Sequence, residues 1–180
     1  MPEYLNLTLI ALIPKCPNPE LLGNYRPISL CNSVYKVVTK IIIGCIRPFL
    51  GKLISPMQTT FVQGRWGLDN ILIAQELIHA IDKKKGRDGY MAIKVDLEKA
   101  YDRLEWNFIH KVLLAYHFPD HLIKLTMSCV TLTSISIFFN GGSLESFYPM
   151  RGIRQGDPLS PYLFILCMEY LGSLIENQCI

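Results

Sequence analysis

The segment from Tyr90 to Asp96 constrains the fold most. Its inner residues Met91, Ala92, Ile93 and Val95 are nearly all apolar, and the run stops on a carboxylate. Such a run is expected as a central strand buried on both faces. A sheet that buries a strand this way needs helices packed over it.

The remaining segments supply both kinds of element. Leu5 to Ile13 reads as a strand stopped by Pro14, and Tyr25 to Cys31 as a second extended run in which Pro27 pushes Arg26 toward β geometry. The loop between them holds Pro17, Pro19 and Gly23, so the two runs are expected to form a hairpin with Lys15 and Arg26 near its mouth. Asn32 is placed to cap a helix reaching about Ile46, with an expected buried stripe of Val34, Val37, Val38, Ile41, Ile42 and Cys45 opposite Lys36, Thr39 and Lys40. Pro48 is expected to bend or end it, and Ser55-Pro56 marks a break. Asp69 is expected to cap a second amphipathic helix carrying Leu72, Ile73, Leu77 and Ile81, with Lys83, Lys84 and Lys85 at its C-terminal end and a turn over 86–89. Trp106 to Tyr116 and Asp120 to Val130 read as helices split by Pro119. Ser134 to Asn140 and Ser146 to Met150 flank Asn140-Gly141-Gly142, a hairpin signal. Arg151 to Pro158 is a charged turn, and Pro161 opens a helix reaching about Glu176.

Composition narrows the class. Half of the 180 residues are apolar and 18% are charged, which excludes a disordered chain. Residues 1–60 carry six Lys and Arg against two acids, a net +4 that suits an anionic partner or an ordinary solvated face. No apolar run is long enough for a membrane span, and the N-terminus lacks the basic start of a signal peptide. The cysteines at 16, 31, 45, 129, 167 and 179 have no zinc spacing, sit mostly among apolar neighbours, and read as buried free thiols of a reducing, intracellular compartment, nucleus or cytoplasm. His117 and His121, with Pro119 between them, read as surface residues.

Three segments could carry chemistry. Asp96 ends a strand, where open α/β sheets place ligands, and its carboxylate with the Leu97 carbonyl offers hard oxygens for Mg²⁺; alternatively Asp96 caps the following helix. Arg151 to Pro161 contains Gly152 and Gly156, which let backbone approach a ligand, beside Gln155, both donor and acceptor; alternatively it is a connector needing turn geometry. Lys15 and Arg26 are cations suited to phosphate, although the arginine of a lone Arg-Pro is more often simply solvated.

In order and spacing these segments resemble the reverse transcriptase family, most closely the LINE-type (non-LTR) retrotransposon enzymes of plants. The resemblance rests on Leu9 to Lys15, the Arg26-Pro27-Ile28-Ser29-Leu30 box, Gln58-x-x-Phe61-x-x-Gly64-Arg65 with Asp69-Asn70-Ile71, the Asp96 box, and Arg154-Gln155-Gly156-Asp157-Pro158-Leu159-Ser160-Pro161. It implies an α/β (α+β) fold with a small antiparallel sheet, residues 1–89 being a fingers-like region and 90–180 a partial palm. It implies that Asp96 and Leu97 hold a catalytic Mg²⁺, that Tyr101 is an aromatic gate against a 2′-OH, and that Gln155 and Gly156 lie against the incoming nucleotide. Lys15 and Arg26 would hold its triphosphate. The implied partners are an RNA template, a DNA primer and a dNTP, with no membrane.

The family also carries an aromatic-x-Asp-Asp box, and no Asp-Asp pair occurs in these 180 residues. Two-metal phosphoryl transfer needs carboxylates that bridge both ions. The expectation is therefore a fragment of fingers and palm, inactive alone, whose C-terminal palm and thumb belong to a parent polyprotein. Two other readings stay open: a non-catalytic nucleic-acid-binding remnant of a degraded element, and an unrelated metal-dependent nucleotide-binding enzyme.

Overall fold

The structure, a computed structural model, describes residues 5–86 and 89–178. Strand β1 (Leu7–Pro14) and strand β2 (Tyr25–Cys31) form the expected antiparallel hairpin, in register from Thr8 opposite Cys31 to Pro14 opposite Tyr25. Lys15 N–H donates to the Asn24 carbonyl at 2.8 Å and closes its mouth. A later hairpin joins β3 (Ser134–Phe139) to the short β4 (Gly142–Ser143). Its two-residue turn has positive φ at both Asn140 (48°) and Gly141 (83°), the type I′ geometry that matches strand twist. β3 runs parallel to β1, from Leu7 opposite Ser134 to Ile10 opposite Ile137, so the sheet order is β2-β1-β3-β4. The strand expected over Ser146 to Met150 is reduced to one bridge, Phe147 opposite Ile135.

Helix α1 (Ser33–Leu53) starts as expected: the Asn32 side chain accepts from Val34 N–H at 2.9 Å. Its buried face differs. The core takes Tyr35, Thr39, Ile42, Ile43, Ile46 and Leu50, whereas Val34, Val37, Ile41 and Cys45 are exposed. The helix carries two apolar faces, and periodicity cannot rank them; the fully buried Tyr35 is decided by a polar partner far away in sequence. Pro48 does not end α1. A helix-interior proline costs ~3 kcal/mol, but Ile46 and Leu50 on either side are fully buried, each contributing about 1.5–3 kcal/mol.

Past α1, Arg65 gathers the loose helix end. Its guanidinium donates to the carbonyls of Gly51 (3.3 Å), Ile54 (2.9 Å), Ser55 and Gln58 (2.7 Å). Helix α2 (Gly67–Lys83) begins before Asp69, with Trp66 at the cap position. Asp69 instead sits in the first turn, where its charge suits the helix dipole. None of the residues of α2 is buried, so its apolar side faces outward.

The expected central strand is absent. Residues 90–96 have no strand partner among the described residues, and Met91, Ile93 and Val95 are 80%, 73% and 75% exposed. Apolar pattern alone makes no strand; its N–H and C=O groups need a neighbouring ladder. Helix α3 (Ala100–Arg103) follows, then α4 (Trp106–Ala115) and α5 (Asp120–Thr131), divided at Pro119 as expected. Helix α6 (Ser160–Glu176) carries Pro161 in its first turn. Its Leu163, Ile165, Leu166 and Cys167 join Ile109, Val112 and Leu113 of α4, Ile123 and Cys129 of α5, and the inner face of α1 in one core.

Cys31, Cys129 and Cys167 are buried free thiols as expected, whereas Cys16 in the loop after β1 and Cys45 on the outer face of α1 are exposed; Cys179 lies outside the described residues, as do positions 87 and 88 of the expected turn. No helix among the described residues is long and apolar enough to cross a membrane.

Candidate functional site

The connector from Arg151 to Ser160 organises the site. Its first part grips the chain around α3. Gly152 N–H donates to the Leu104 carbonyl at 2.8 Å, and Ile153 N–H to the Tyr101 carbonyl at 2.9 Å. Trp106 returns the contact, its indole Nε1–H donating to the Gly152 carbonyl at 2.8 Å.

The middle of the connector is held by a buried pair. Arg154 and Asp157, with side chains 7% and 4% exposed, meet at 3.1 Å. Arg154 Nη1 donates to Asn6 Oδ1 and Thr8 Oγ1, both at 2.8 Å. Its Nη2 donates to the Cys129 carbonyl at 2.9 Å and to the Tyr35 hydroxyl. That hydroxyl donates to Asp157 Oδ2 at 2.6 Å, and Asp157 Oδ1 accepts the Leu159 N–H at 2.9 Å at the start of α6. Burial, and after it the Asp157 charge, raise the Tyr35 pKa, so the phenol keeps the proton it donates. No buried side-chain N or O lacks a partner among the described residues, so the network is complete. One pair thus fastens β1, α1, α5 and α6 at a single point.

Gln155 and Gly156 lie between the two clamped residues. The Gln155 carbonyl accepts the Ser29 N–H at 2.7 Å, taking up a main-chain group on the outer edge of β2. Gly156 has φ +108°, and a Cβ there would stand 2.8 Å from the Ser29 carbonyl oxygen. Only glycine fits.

This brings three of the expected residues together. Tyr101, Gln155 and Gly156, with Ala100 and Pro161, line a cavity of about 360 Å³. The Tyr101 ring packs on Phe164 with centroids 5.1 Å apart, and partial burial raises its pKa, which keeps the phenol neutral. Ala100 also lines a second cavity of about 460 Å³ that holds Asp96 and Leu97, floored by Phe164, Cys167 and Met168. Lys15 and Arg26 line neither. They are exposed at the hairpin mouth, Lys15 Nζ donating to the Gly23 carbonyl at 2.9 Å. Arg26 stands three residues from Ser29 along β2, roughly 10 Å of strand.

Among the described residues no group of three or more His, Cys, Asp or Glu could hold a metal alone. The Asp96 carboxylate and the Leu97 carbonyl are hard oxygens of the kind Mg²⁺ takes together with substrate phosphates and water; Glu98 lines the same cavity and lies 3.7 Å from the Arg103 guanidinium.

Sequence reasoning missed the clamp. Arg154 and Asp157 flank the two noted residues at i, i+3, which was the available signal. Asn6, Thr8 and Tyr35 carried none, because Tyr35 and Asp157 are 122 residues apart.

A family model described as reverse transcriptase (RNA-dependent DNA polymerase) matches residues 13–180. The chain is 28% identical over 178 residues to the transposon TX1 uncharacterized 149 kDa protein of Xenopus laevis, covering 99% of this chain and 14% of that protein. It is 30% identical over 178 residues to the retrovirus-related Pol polyprotein from type-2 retrotransposable element R2DM of Drosophila melanogaster, covering 99% and 16% respectively. The chain therefore spans about a sixth or less of the length of these relatives. Its fold is similar to that of apo telomerase from Candida tropicalis, truncated from the C-terminal domain, at a TM-score of 0.55 and 15% identity over 94% of this chain and 39% of that one.

Proposed function

Because this chain belongs to the reverse transcriptase (RNA-dependent DNA polymerase) family, we propose that it forms the nucleotide-facing part of an RNA-directed DNA polymerase from a LINE-type (non-LTR) element. The observation that carries this reading is the cavity shared by Tyr101, Gln155 and Gly156, with Asp96 and Leu97 beside it across Ala100. The reaction served is attack of a primer 3′-OH, paired to an RNA template, on the α-phosphate of a dNTP, releasing pyrophosphate. Gln155 lies against the nucleotide, and Gly156 admits the close approach. The neutral Tyr101 ring excludes a 2′-OH by occupying its space. Lys15 and Arg26, in the fingers-like region 1–89, offset charge on the triphosphate. Asp96 and the Leu97 carbonyl, in the palm region 90–180, are the residues that would hold Mg²⁺, and the ion would supply positive charge to offset that on the phosphate oxygens.

With no Asp-Asp pair in its sequence, the chain binds Mg·dNTP without joining nucleotides. The test is titration of the purified chain with dNTP and Mg²⁺, alongside extension of a primed RNA template. Binding that needs Mg²⁺ and weakens in Gln155→Ala, with no extension product, is expected. Binding indifferent to Gln155→Ala sinks the site. Template-dependent extension abolished by Asp96→Ala would refute the requirement for a second carboxylate box. The basic balance of residues 1–60 favours a second property, salt-sensitive nucleic-acid binding without sequence preference. A purely nucleic-acid-binding remnant would keep that property and show no dNTP affinity.

A further inference from the structure

A buried ion pair is a costly way to hold a turn, and hydrophobic residues of the same volume are often as stabilising or more so. What a complete polar network adds is a single allowed arrangement. The need for one is concentrated at Gly156. Its backbone must be glycine to pass Ser29, yet glycine is also the residue most free to leave that conformation. The Gln155 side chain, half-buried at the cavity wall, lands where the backbone at 155–156 directs it.

We infer that Tyr35 is a positioning residue for the nucleotide, its hydroxyl locking the Arg154–Asp157 pair and, through it, the orientation of Gln155. This rests on the assignment of the Tyr101–Gln155 cavity as the nucleotide site. Tyr35 lines neither that cavity nor the Asp96 cavity, so it acts without touching substrate. Its hydroxyl is the atom that contacts both members of the pair, accepting from Arg154 Nη2 and donating to Asp157 Oδ2 at 2.6 Å. The Arg154 guanidinium carbon also lies 4.2 Å from the Tyr35 ring centroid, so the ring sets the height of the cation while the hydroxyl sets its rotation. Without the hydroxyl, the pair keeps its direct 3.1 Å contact but loses the second, bridged path between its members. The 155–156 step then rests on the Ser29 contact and on the bonds of Arg154 to Asn6, Thr8 and Cys129 and of Asp157 to Leu159, without the group that ties the two residues together through a third side chain.

The experiment is Tyr35→Phe, which keeps the ring and its packing. Two readouts are taken on the purified chain: Mg·dNTP affinity, and amide hydrogen exchange at Ser29, whose N–H reports the Gln155 contact. The expected result is a loss of affinity on the order of tenfold, the scale of one hydrogen bond, with faster exchange at Ser29 and a melt that stays cooperative. In Tyr35→Phe/Gln155→Ala the affinity should equal that of Gln155→Ala alone, because both changes remove the same contact. Losses that add, or an unchanged Ser29 exchange rate, overturn the inference. If Gln155→Ala does not affect dNTP binding, the site assignment falls, and exchange at Ser29 in Tyr35→Phe alone then decides whether the hydroxyl holds the step. Loss of the cooperative melt in Tyr35→Phe would show that the hydroxyl holds the core rather than the step, and overturns the inference.

Discussion

Gly156→Ala puts the geometry of the site at risk most directly. The added methyl would stand 2.8 Å from the Ser29 carbonyl oxygen and 3.6 Å from Ile28 Cγ2, at a φ of +108°. A non-glycine residue in so sparsely populated a region costs ~1–3 kcal/mol. The clash is with backbone, so it cannot be relieved by a rotamer change, and forced displacement of packed groups costs a further ~1–3 kcal/mol. The displacement also breaks the 2.7 Å bond between Ser29 N–H and the Gln155 carbonyl, worth ~1 kcal/mol. The total is about 3 kcal/mol or more, which at ~2 kcal/mol per molar moves a urea midpoint by about 1.5 M. Two other glycines calibrate the scale. Gly64 has φ +80° but open space around it, so Gly64→Ala should show the backbone term alone, ~1 kcal/mol. Gly51 lies in α1 with nothing near its Cβ position, so Gly51→Ala should stabilise by ~0.5–1 kcal/mol. Urea unfolding of the three variants, followed by circular dichroism, is the assay. A Gly156→Ala midpoint no lower than that of Gly64→Ala would refute the close approach of the connector to β2.

Arg65→Ala should destabilise by ~2–4 kcal/mol because carbonyls at the end of α1 lose a charged donor. Arg65→Lys should recover less than half of that, since a point charge cannot span four acceptors; equal midpoints for Lys and Arg would contradict the planar-fork reading. Burial pushes the Cys129 thiol up to about 11 and Cys167 up to about 12, so the native state holds protons that unfolded thiols release from about pH 9. The stability they contribute is complete below that pH and falls by ~1.4 kcal/mol per pH unit per thiol as pH rises toward the native values; urea midpoints at pH 8 and pH 10 should diverge less in Cys167→Ala, and an identical divergence would count against it. Tyr101→Val should lower the melting temperature through the lost stacking on Phe164 and, in the same variant, bring rNTP affinity up to that for dNTP. A lower melting temperature with unchanged sugar preference would leave Tyr101 a packing residue only.

Local chemistry was readable from the order of residues. The hairpin of β1 and β2, the Asn32 cap, the split at Pro119, the Asn140-Gly141 turn and the helix at Pro161 each follow from one residue acting on its own backbone or on a neighbour within one turn. The candidate site was legible in part: Gln155 and Gly156 stand out as residue types and line one cavity with Tyr101, whereas Lys15 and Arg26 lie apart from it. What the sequence could not decide were choices between faces and partners. Helix α1 has two apolar faces, and it buries the one with Tyr35 because a hydroxyl there completes the Arg154–Asp157 pair, 119 and 122 residues away. The run over 90–96 has a strand's apolar pattern yet stays exposed, because a strand exists only where another ladder accepts it. The reason is the same in both cases. Propensity and periodicity are properties of a few consecutive residues, whereas burial and hydrogen-bond satisfaction belong to pairs that tertiary packing alone brings together.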